Sequence, residues 1–150
     1  MSSIVFTFSN HPTSITNPSH CPQKINSQSE KIKLIKELHI DILMNIPFTQ
    51  QLSTIAPEKF IKLLCDNINP EVIVVGPNFS FGYKGRGSPK TLVAFEKLYR
   101  FKTEISEFVL INKTIVSSTL IRKLIAEGQY MQVERFWGRA FHPEVKFAVY

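Results

Sequence analysis

A chain of 150 residues with 43% hydrophobic residues, twelve of them phenylalanine, is long enough for one domain with a buried core. Its net charge of +6 favours anionic partners without choosing among nucleotides, nucleic acid and acidic surfaces. The sequence has no apolar run of membrane-spanning length and no basic signal region, and its two cysteines lack motif spacing, so a cytoplasmic protein is expected.

The first half of the chain alternates apolar runs with turn residues. In chain order the pattern predicts a strand over residues 3–8, a polar loop over 9–28, a helix capped by Ser27 or Ser29, a strand over 40–46 and a helix from Pro57 to about residue 69.

The second half continues the alternation of strands and helices. It predicts a strand over residues 71–75 buried on both faces, a glycine-rich loop over 76–87, a helix from Ser88, a strand over 104–111, a helix ended by Gly128 and a helix over 130–137. This order indicates an α/β domain with a mainly parallel sheet, in which ligands bind beyond the carboxyl ends of the strands.

A run of hydroxyl residues stands where a helix should begin, directly after the β-rich segment 104–116. Ser117, Ser118 and Thr119 come first, and Arg122 follows one turn later. Hydroxyls, unpaired backbone N–H groups, the positive helix end and a guanidinium can together hold a phosphate group. Serine and threonine are also common helix caps, so an ordinary N-cap is the alternative interpretation.

The glycine-rich loop extends over residues 76–88 and follows a predicted strand. Its glycines allow a close approach between backbone and ligand, and its polar, aromatic and basic side chains are Asn78, Phe79, Phe81, Tyr83, Lys84 and Arg86. The lysine that precedes the serine of a P-loop is missing, which excludes a Walker A site. The alternative is a solvated connector whose phenylalanines pack into the core.

Ordered segments of the chain together resemble the adenylyltransferase, or FAD synthetase, domain of bacterial bifunctional riboflavin kinase/FAD synthetases. They are residues 5–12 (Val-Phe-Thr-Phe-Ser-Asn-His-Pro), 47–49 with 57–60, 74–82 (Val-Val-Gly-Pro-Asn-Phe-Ser-Phe-Gly), and 116–122 followed by 127–128 and 138–139. The resemblance implies a Rossmann-like nucleotidyltransferase fold that transfers AMP from ATP to FMN, giving FAD and pyrophosphate, with Mg²⁺.

The resemblance also implies roles for individual residues. ATP would be bound by Ser117, Ser118, Thr119 and Arg122, and flavin by His11, Pro12, Asn78, Phe79 and Phe81. Arg122 would offset charge on the leaving pyrophosphate and Asn78 would position a reacting phosphate, which makes these two the candidate catalytic residues. The sequence predicts no metal-ligating residues.

The sequence departs from the family at its start. The family opens with Gly-Phe-Asp-Gly-Val-His-x-Gly-His, whose histidines hold the ATP phosphates, whereas His11, His20, His39 and His142 all have other neighbours here. We therefore expect a fold that lacks its first strand and helix, and weak or no FAD synthesis. Residues 1–139 are assigned to this incomplete domain, and residues 140–150 to a tail that does not continue into a riboflavin kinase domain.

Two other functions are compatible with the sequence. A non-catalytic flavin- or nucleotide-binding remnant of the family would keep the loop without the histidines. A basic nucleic-acid binder would fit the net charge of +6, but the chain has no nucleic-acid motif and its basic residues are scattered. The expected partners are therefore nucleotides and flavins, with neither a membrane nor a nucleic acid.

Overall fold

A computed structural model describes residues 2–141 of the chain. The elements are β1 (Ile4–Phe8), α1 (Thr13–Thr16), α2 (Gln28–Glu37), β2 (Ile42–Ile46), α3 (Gln50–Ser53), α4 (Pro57–Ile68), β3 (Val72–Val75), α5 (Pro89–Tyr99), β4 (Lys102–Ile105), β5 (Leu110–Ile111), β6 (Thr114–Ile115), α6 (Ser118–Ala126) and α7 (Tyr130–Trp137), with 3-10 turns at Pro18–His20 and Tyr83–Gly85.

The described chain forms two compact units whose segments alternate along the sequence. Unit 1 consists of residues up to 9, residues 20–47 and residues from 109 onward, and unit 2 consists of residues 10–19 and 48–108. Unit 1 therefore holds β1, α2, β2, β5, β6, α6 and α7, and unit 2 holds α1, α3, α4, β3, α5 and β4.

In unit 1, β1 and β2 form a parallel pair with Ile4 opposite Ile42 and Phe8 opposite Ile46. The amino ends of the two strands are joined by the Asp41 carboxylate, which accepts hydrogen bonds from the Ser3 backbone N–H at 2.7 Å and its hydroxyl at 2.8 Å. These hydrogen bonds lower the pKa of Asp41, because they stabilise its charged form.

The helical part of unit 1 has its own small core. Ile121 and Leu124 of α6 are buried with Val133 of α7 and Phe141, because the apolar residues of both helices recur on one face. The strands β5 and β6 form an antiparallel hairpin, and its turn residues Asn112 and Lys113 both adopt left-handed backbone angles.

In unit 2, β3 and β4 form a second parallel pair, with Val72 opposite Lys102 and Val75 opposite Ile105. The core beside this pair is formed by α4, α5, the loop between β3 and α5, and the residue before β4. Its buried members are Ile61, Cys65, Phe81, Leu92 and Phe101.

The structure confirms the α/β class and the parallel pairing of strands, and it corrects three predictions. The predicted strand over 104–111 is divided between β4 and the hairpin strand β5, and the predicted polar loop over 9–28 contains α1 and a 3-10 turn. The run 71–75 is not buried on both faces, because Val74 is 65% exposed while Ile73 and Val75 pack against the core.

Candidate functional site

The start of α6 in unit 1 has the geometry of a helix N-cap. Ser117 is extended, with φ −148° and ψ 155°, and its hydroxyl accepts a hydrogen bond from the Leu120 backbone N–H at 3.2 Å. Ser118 and Thr119 occupy the first turn, where backbone N–H groups have no partner within the helix. Ser117, Ser118 and Thr119 are all exposed, so their hydroxyls are accessible to a ligand.

The Arg122 side chain lies on the same helix, one turn after the cap. Its Nε donates a hydrogen bond to the Gln23 carbonyl oxygen at 2.8 Å, a contact that sequence spacing does not reveal. A guanidinium has five N–H donors, so this contact leaves donors for a phosphate. The buried neighbours Ile121 and Leu124 anchor the helix, which fixes where the arginine is presented.

The loop 76–88 in unit 2 has a defined backbone. The Phe79 N–H donates to the Gly76 carbonyl at 3.1 Å, which closes a turn around Asn78. Phe81 and Gly87 exchange two backbone hydrogen bonds, of 3.1 and 2.8 Å. The Tyr83 N–H donates to the Ile55 carbonyl at 2.6 Å, which ties the loop to the segment before α4. Backbone hydrogen bonds thus hold the loop at three places.

The two phenylalanines of the loop have different surroundings. Phe81 is 7% exposed in the unit 2 core, where its ring lies 5.5 Å from that of Phe60. Phe79 is 37% exposed, and its ring stacks on Phe81 at 5.4 Å between centroids. Phe79 thus has the accessible ring, and the buried Phe81 ring packs against its inner face.

The other polar and aromatic side chains of the loop between residues 78 and 86 are exposed, and two of them are basic. Asn78 is exposed and has no hydrogen-bond partner among residues 2–141, so its amide is available for a ligand. The Tyr83 ring lies 5.3 Å from the Lys84 ammonium and 5.8 Å from the Arg86 guanidinium, within the range of cation–π attraction.

The His11–Pro12 turn, also in unit 2, is held by local hydrogen bonds. His11 Nδ1 accepts from the Thr13 backbone N–H at 3.2 Å, and the His11 carbonyl accepts from the Ser14 hydroxyl at 2.7 Å. The Asn10 side chain forms a two-point contact with the Phe48 backbone. It accepts from the Phe48 N–H at 2.7 Å and donates to the Phe48 carbonyl at 3.0 Å.

The expected site residues fall into both units. Unit 2 holds the flavin candidates, and unit 1 holds the ATP candidates of α6. The contact of Arg122 with Gln23 was not predicted, because its partner lies 99 residues away. The contact of the Asn10 amide was not predicted either, since its partner lies 38 residues away.

The described residues contain no group of three or more His, Cys, Asp or Glu side chains that could hold a metal ion. The described residues therefore fit Mg²⁺ as an ion that arrives bound to nucleotide phosphates. Such an ion keeps much of its water, which is the usual way in which proteins bind Mg²⁺. Over the same residues, no helix is both long and apolar enough to cross a membrane.

Comparison with known proteins defines the class of this α/β fold. The sequence model of the FAD synthetase family matches residues 1–120, and the chain belongs to that family. It is 34% identical over 140 residues to the bifunctional riboflavin kinase/FMN adenylyltransferase of Buchnera aphidicola subsp. Schizaphis graminum, covering 92% of this chain and 45% of that relative.

One further relative is similar in sequence, and one solved structure is similar in fold. An FAD synthetase of Listeria monocytogenes is 29% identical over 121 residues, covering 80% of this chain and 49% of that relative. A solved structure from Streptococcus pneumoniae, described as a macrolide-efflux protein, shares the fold with a TM-score of 0.79 and 23% identity over 93% of this chain and 46% of that chain. The chain thus spans about half the length of the relatives that it matches.

Proposed function

We propose that this chain is an FMN adenylyltransferase domain, which transfers AMP from ATP to FMN to give FAD and pyrophosphate. The observation that carries the proposal is the start of α6, where an N-cap with exposed hydroxyls precedes Arg122 within a chain of the FAD synthetase family. Exposed hydroxyls, unpaired N–H groups and a guanidinium are the groups that bind a nucleotide's phosphates.

In the proposed reaction, an FMN phosphate oxygen forms a bond to the α-phosphorus of ATP, and the bond from that phosphorus to the bridging oxygen of pyrophosphate breaks. Ser117, Ser118 and Thr119 hold the phosphates, and Arg122 offsets the charge that develops on the leaving pyrophosphate. Asn78 positions a reacting phosphate, and Mg²⁺ bound to the phosphates supplies further charge neutralisation.

The flavin is assigned to unit 2. Phe79 offers a partly exposed ring on which a flat isoalloxazine can stack, and the buried Phe81 beneath it keeps that ring in place. The His11–Pro12 turn and Asn78 complete the proposed flavin contacts. The partners are thus small nucleotides and flavins. We also propose a cytoplasmic location, which is supported by free cysteines at positions 21 and 65.

The test is FAD formation from FMN, ATP and Mg²⁺, followed by chromatography. Because the sequence has no His-x-Gly-His, we expect slow synthesis that requires a high protein concentration. Arg122→Ala should lower the rate by about 10²-fold, the usual effect of removing a group that stabilises transition-state charge. Lys123→Ala is the control, because this neighbour pairs with Glu127 at 3.9 Å. An equal rate for Arg122→Ala and Lys123→Ala would contradict the assignment.

The absence of His-x-Gly-His from the sequence favours one second candidate, a flavin- or nucleotide-binding protein without catalysis. Calorimetric titration with FMN and with ATP separates the two functions. FMN binding without ATP binding or FAD formation supports the second candidate, and no binding of either ligand contradicts both.

A further inference from the structure

The glycine-rich loop of unit 2 carries two cations that share one aromatic ring. The Lys84 ammonium lies 5.3 Å from the centre of the Tyr83 ring, and the Arg86 guanidinium lies 5.8 Å from it. Both cations are exposed, and the ion pairs formed within residues 2–141 include neither of them. Glu58 follows the proline that lies against this loop, yet it forms no ion pair with either cation. The described residues thus leave the positive charge of this cationic turn, residues 83–86, without a paired carboxylate.

An unusual backbone holds the cationic turn in place. Lys84 has φ 55° and ψ 27°, the left-handed region that a residue with a side chain seldom adopts, and its neighbours Gly82 and Gly85 also have positive φ. The Tyr83 N–H anchors this conformation through its 2.6 Å hydrogen bond to the Ile55 carbonyl. Residues kept in sparsely populated conformations cluster at ligand-binding sites, so the backbone of Lys84 points to a binding role for this turn.

The cationic turn packs against the part of the loop that carries the accessible ring. A Cβ placed on Gly85 would lie 3.5 Å from the Ser80 Oγ and 3.6 Å from its Cβ, which is an ordinary contact distance. Ser80 directly follows Phe79, and the next residue exchanges backbone hydrogen bonds of 3.1 and 2.8 Å with Gly87. The two sides of the loop are therefore adjacent. A flat ligand stacked on Phe79 can reach the cations with a flexible chain.

We infer that Lys84 and Arg86 bind the phosphate of FMN and make the site select FMN over riboflavin, which has the same ring and ribityl chain without the charge. A phosphate monoester carries about −1.5 to −2 charges at pH 7, and lysine and arginine bind it through charge-assisted hydrogen bonds. Both side chains have flexible stems and are exposed, so they can close on one phosphate. The inference rests on the proposed function for the flavin and deepens it by naming the residues that set specificity.

The experiment is calorimetric titration of the full chain with FMN and, separately, with riboflavin. Arg86→Gln should weaken FMN binding about fivefold, as the loss of one exposed charged contact does, and leave riboflavin binding unchanged. Lys84→Asn should act in the same way, and asparagine suits the left-handed backbone at this position. Arg86→Lys keeps the charge and should retain most of the preference for FMN. Lys97→Met is the matched control, because it removes an exposed lysine from the far end of α5 and should leave both affinities unchanged.

Several results would overturn the inference. They are equal FMN affinity of Arg86→Gln, Lys84→Asn and Lys97→Met, an equal loss of riboflavin and FMN affinity, and riboflavin binding by the unaltered chain as tight as FMN binding. Weaker ATP binding with unchanged FMN binding in the same variants would also overturn it, because the turn would then hold a nucleotide's phosphates.

The inference and the proposed function can fail separately. A charge-dependent preference for FMN without FAD formation would overturn only the proposed transfer of AMP. FAD formation with a KM for FMN that is unchanged in Arg86→Gln and Lys84→Asn would overturn only the inference. No flavin binding by the unaltered chain would overturn both.

Discussion

Replacing Gly82 by alanine should strongly destabilise the fold. Its backbone has φ +72° and ψ −176°, a region open essentially to glycine alone. A Cβ there would lie 2.8 Å from the Pro57 Cα, N and Cγ atoms at the start of α4. Two of these are backbone atoms, which cannot rotate away, so the loop or the helix must move.

The cost of Gly82→Ala is the sum of two effects. The backbone conformation costs about 1–3 kcal/mol for a residue with a side chain. The overlap with Pro57 adds about 1–3 kcal/mol, as overpacking does in cores. We therefore expect the free energy of unfolding to fall by about 2–6 kcal/mol, a large part of the stability of a small domain. FMN binding should weaken in parallel, because the same loop carries Phe79.

Two other glycines separate these effects. Gly128 has φ +69° with no atom within 4 Å of an added Cβ, so Gly128→Ala should cost only about 1 kcal/mol. At Gly76 the nearest atom is the Asn78 Oδ1 at 3.7 Å, an ordinary contact, so Gly76→Ala should be close to neutral. The order of destabilisation should be position 82, then 128, then 76.

The assay is urea unfolding followed by far-ultraviolet circular dichroism. Fluorescence is a poor choice, because the single tryptophan, Trp137, lies in unit 1 whereas Gly82 lies in unit 2. A loss for Gly82→Ala no larger than for Gly128→Ala would refute the reasoning, since the Pro57 contact would then contribute nothing.

Three further predictions concern single side chains. Ser117→Ala should lower the free energy of unfolding by about 1 kcal/mol, because the Leu120 N–H loses its acceptor; urea unfolding measures this. Ile61→Ala should cost about 2–5 kcal/mol by the same measurement, because Ile61 is 0% exposed. Asp41 has a lowered pKa in the folded chain, so its bonds with Ser3 stabilise the fold above the unfolded pKa and are lost as pH falls through the folded pKa. Asp41→Asn should therefore flatten the acid side of a plot of Tm against pH.

Each of these changes has a matched control. Leu63→Ala removes a 41% exposed side chain from the same helix and should cost far less than the change at Ile61. Ser118→Ala leaves the cap bond intact, so an equal loss at 117 and 118 would contradict the capping role. Ser3→Ala removes the hydroxyl that donates to Asp41 at 2.8 Å, and it should flatten the same acid limb in part. An unaltered slope in Asp41→Asn would show that the hydrogen bonds with Ser3 do not cause the loss of stability at low pH.

The sequence predicted those features that depend on neighbouring residues. Ser27 caps α2 and Ser117 caps α6, as hydroxyl residues before amphipathic runs indicate. Gly138 ends α7 in a left-handed conformation, the common way in which glycine stops a helix. The expected parallel strands are present, because alternating strands and helices leave few other arrangements.

Features that depend on distant residues could not be predicted. The run 71–75 is apolar throughout, yet only its contacts decide that Val74 is exposed. Phe79 and Phe81 are two residues apart in the same motif, but only the position of Phe60 shows which ring enters the core. The amide of Asn10 and the ammonium of Lys31 find backbone partners 38 and 23 residues away, and no local pattern records such pairs.

The hydrogen bond from Arg122 to Gln23 joins residues 99 positions apart. It has a consequence for the order in which the protein forms during synthesis. All segments of unit 2 are available once residue 108 has left the ribosome, whereas unit 1 still lacks α6 and α7. Unit 2 can thus close first, around a core built from residues 61–101. Ile25 and Gln23 can contact α6 only after the last third of the chain has been synthesised. The phosphate-binding half of the proposed enzyme is therefore completed after the flavin-binding half.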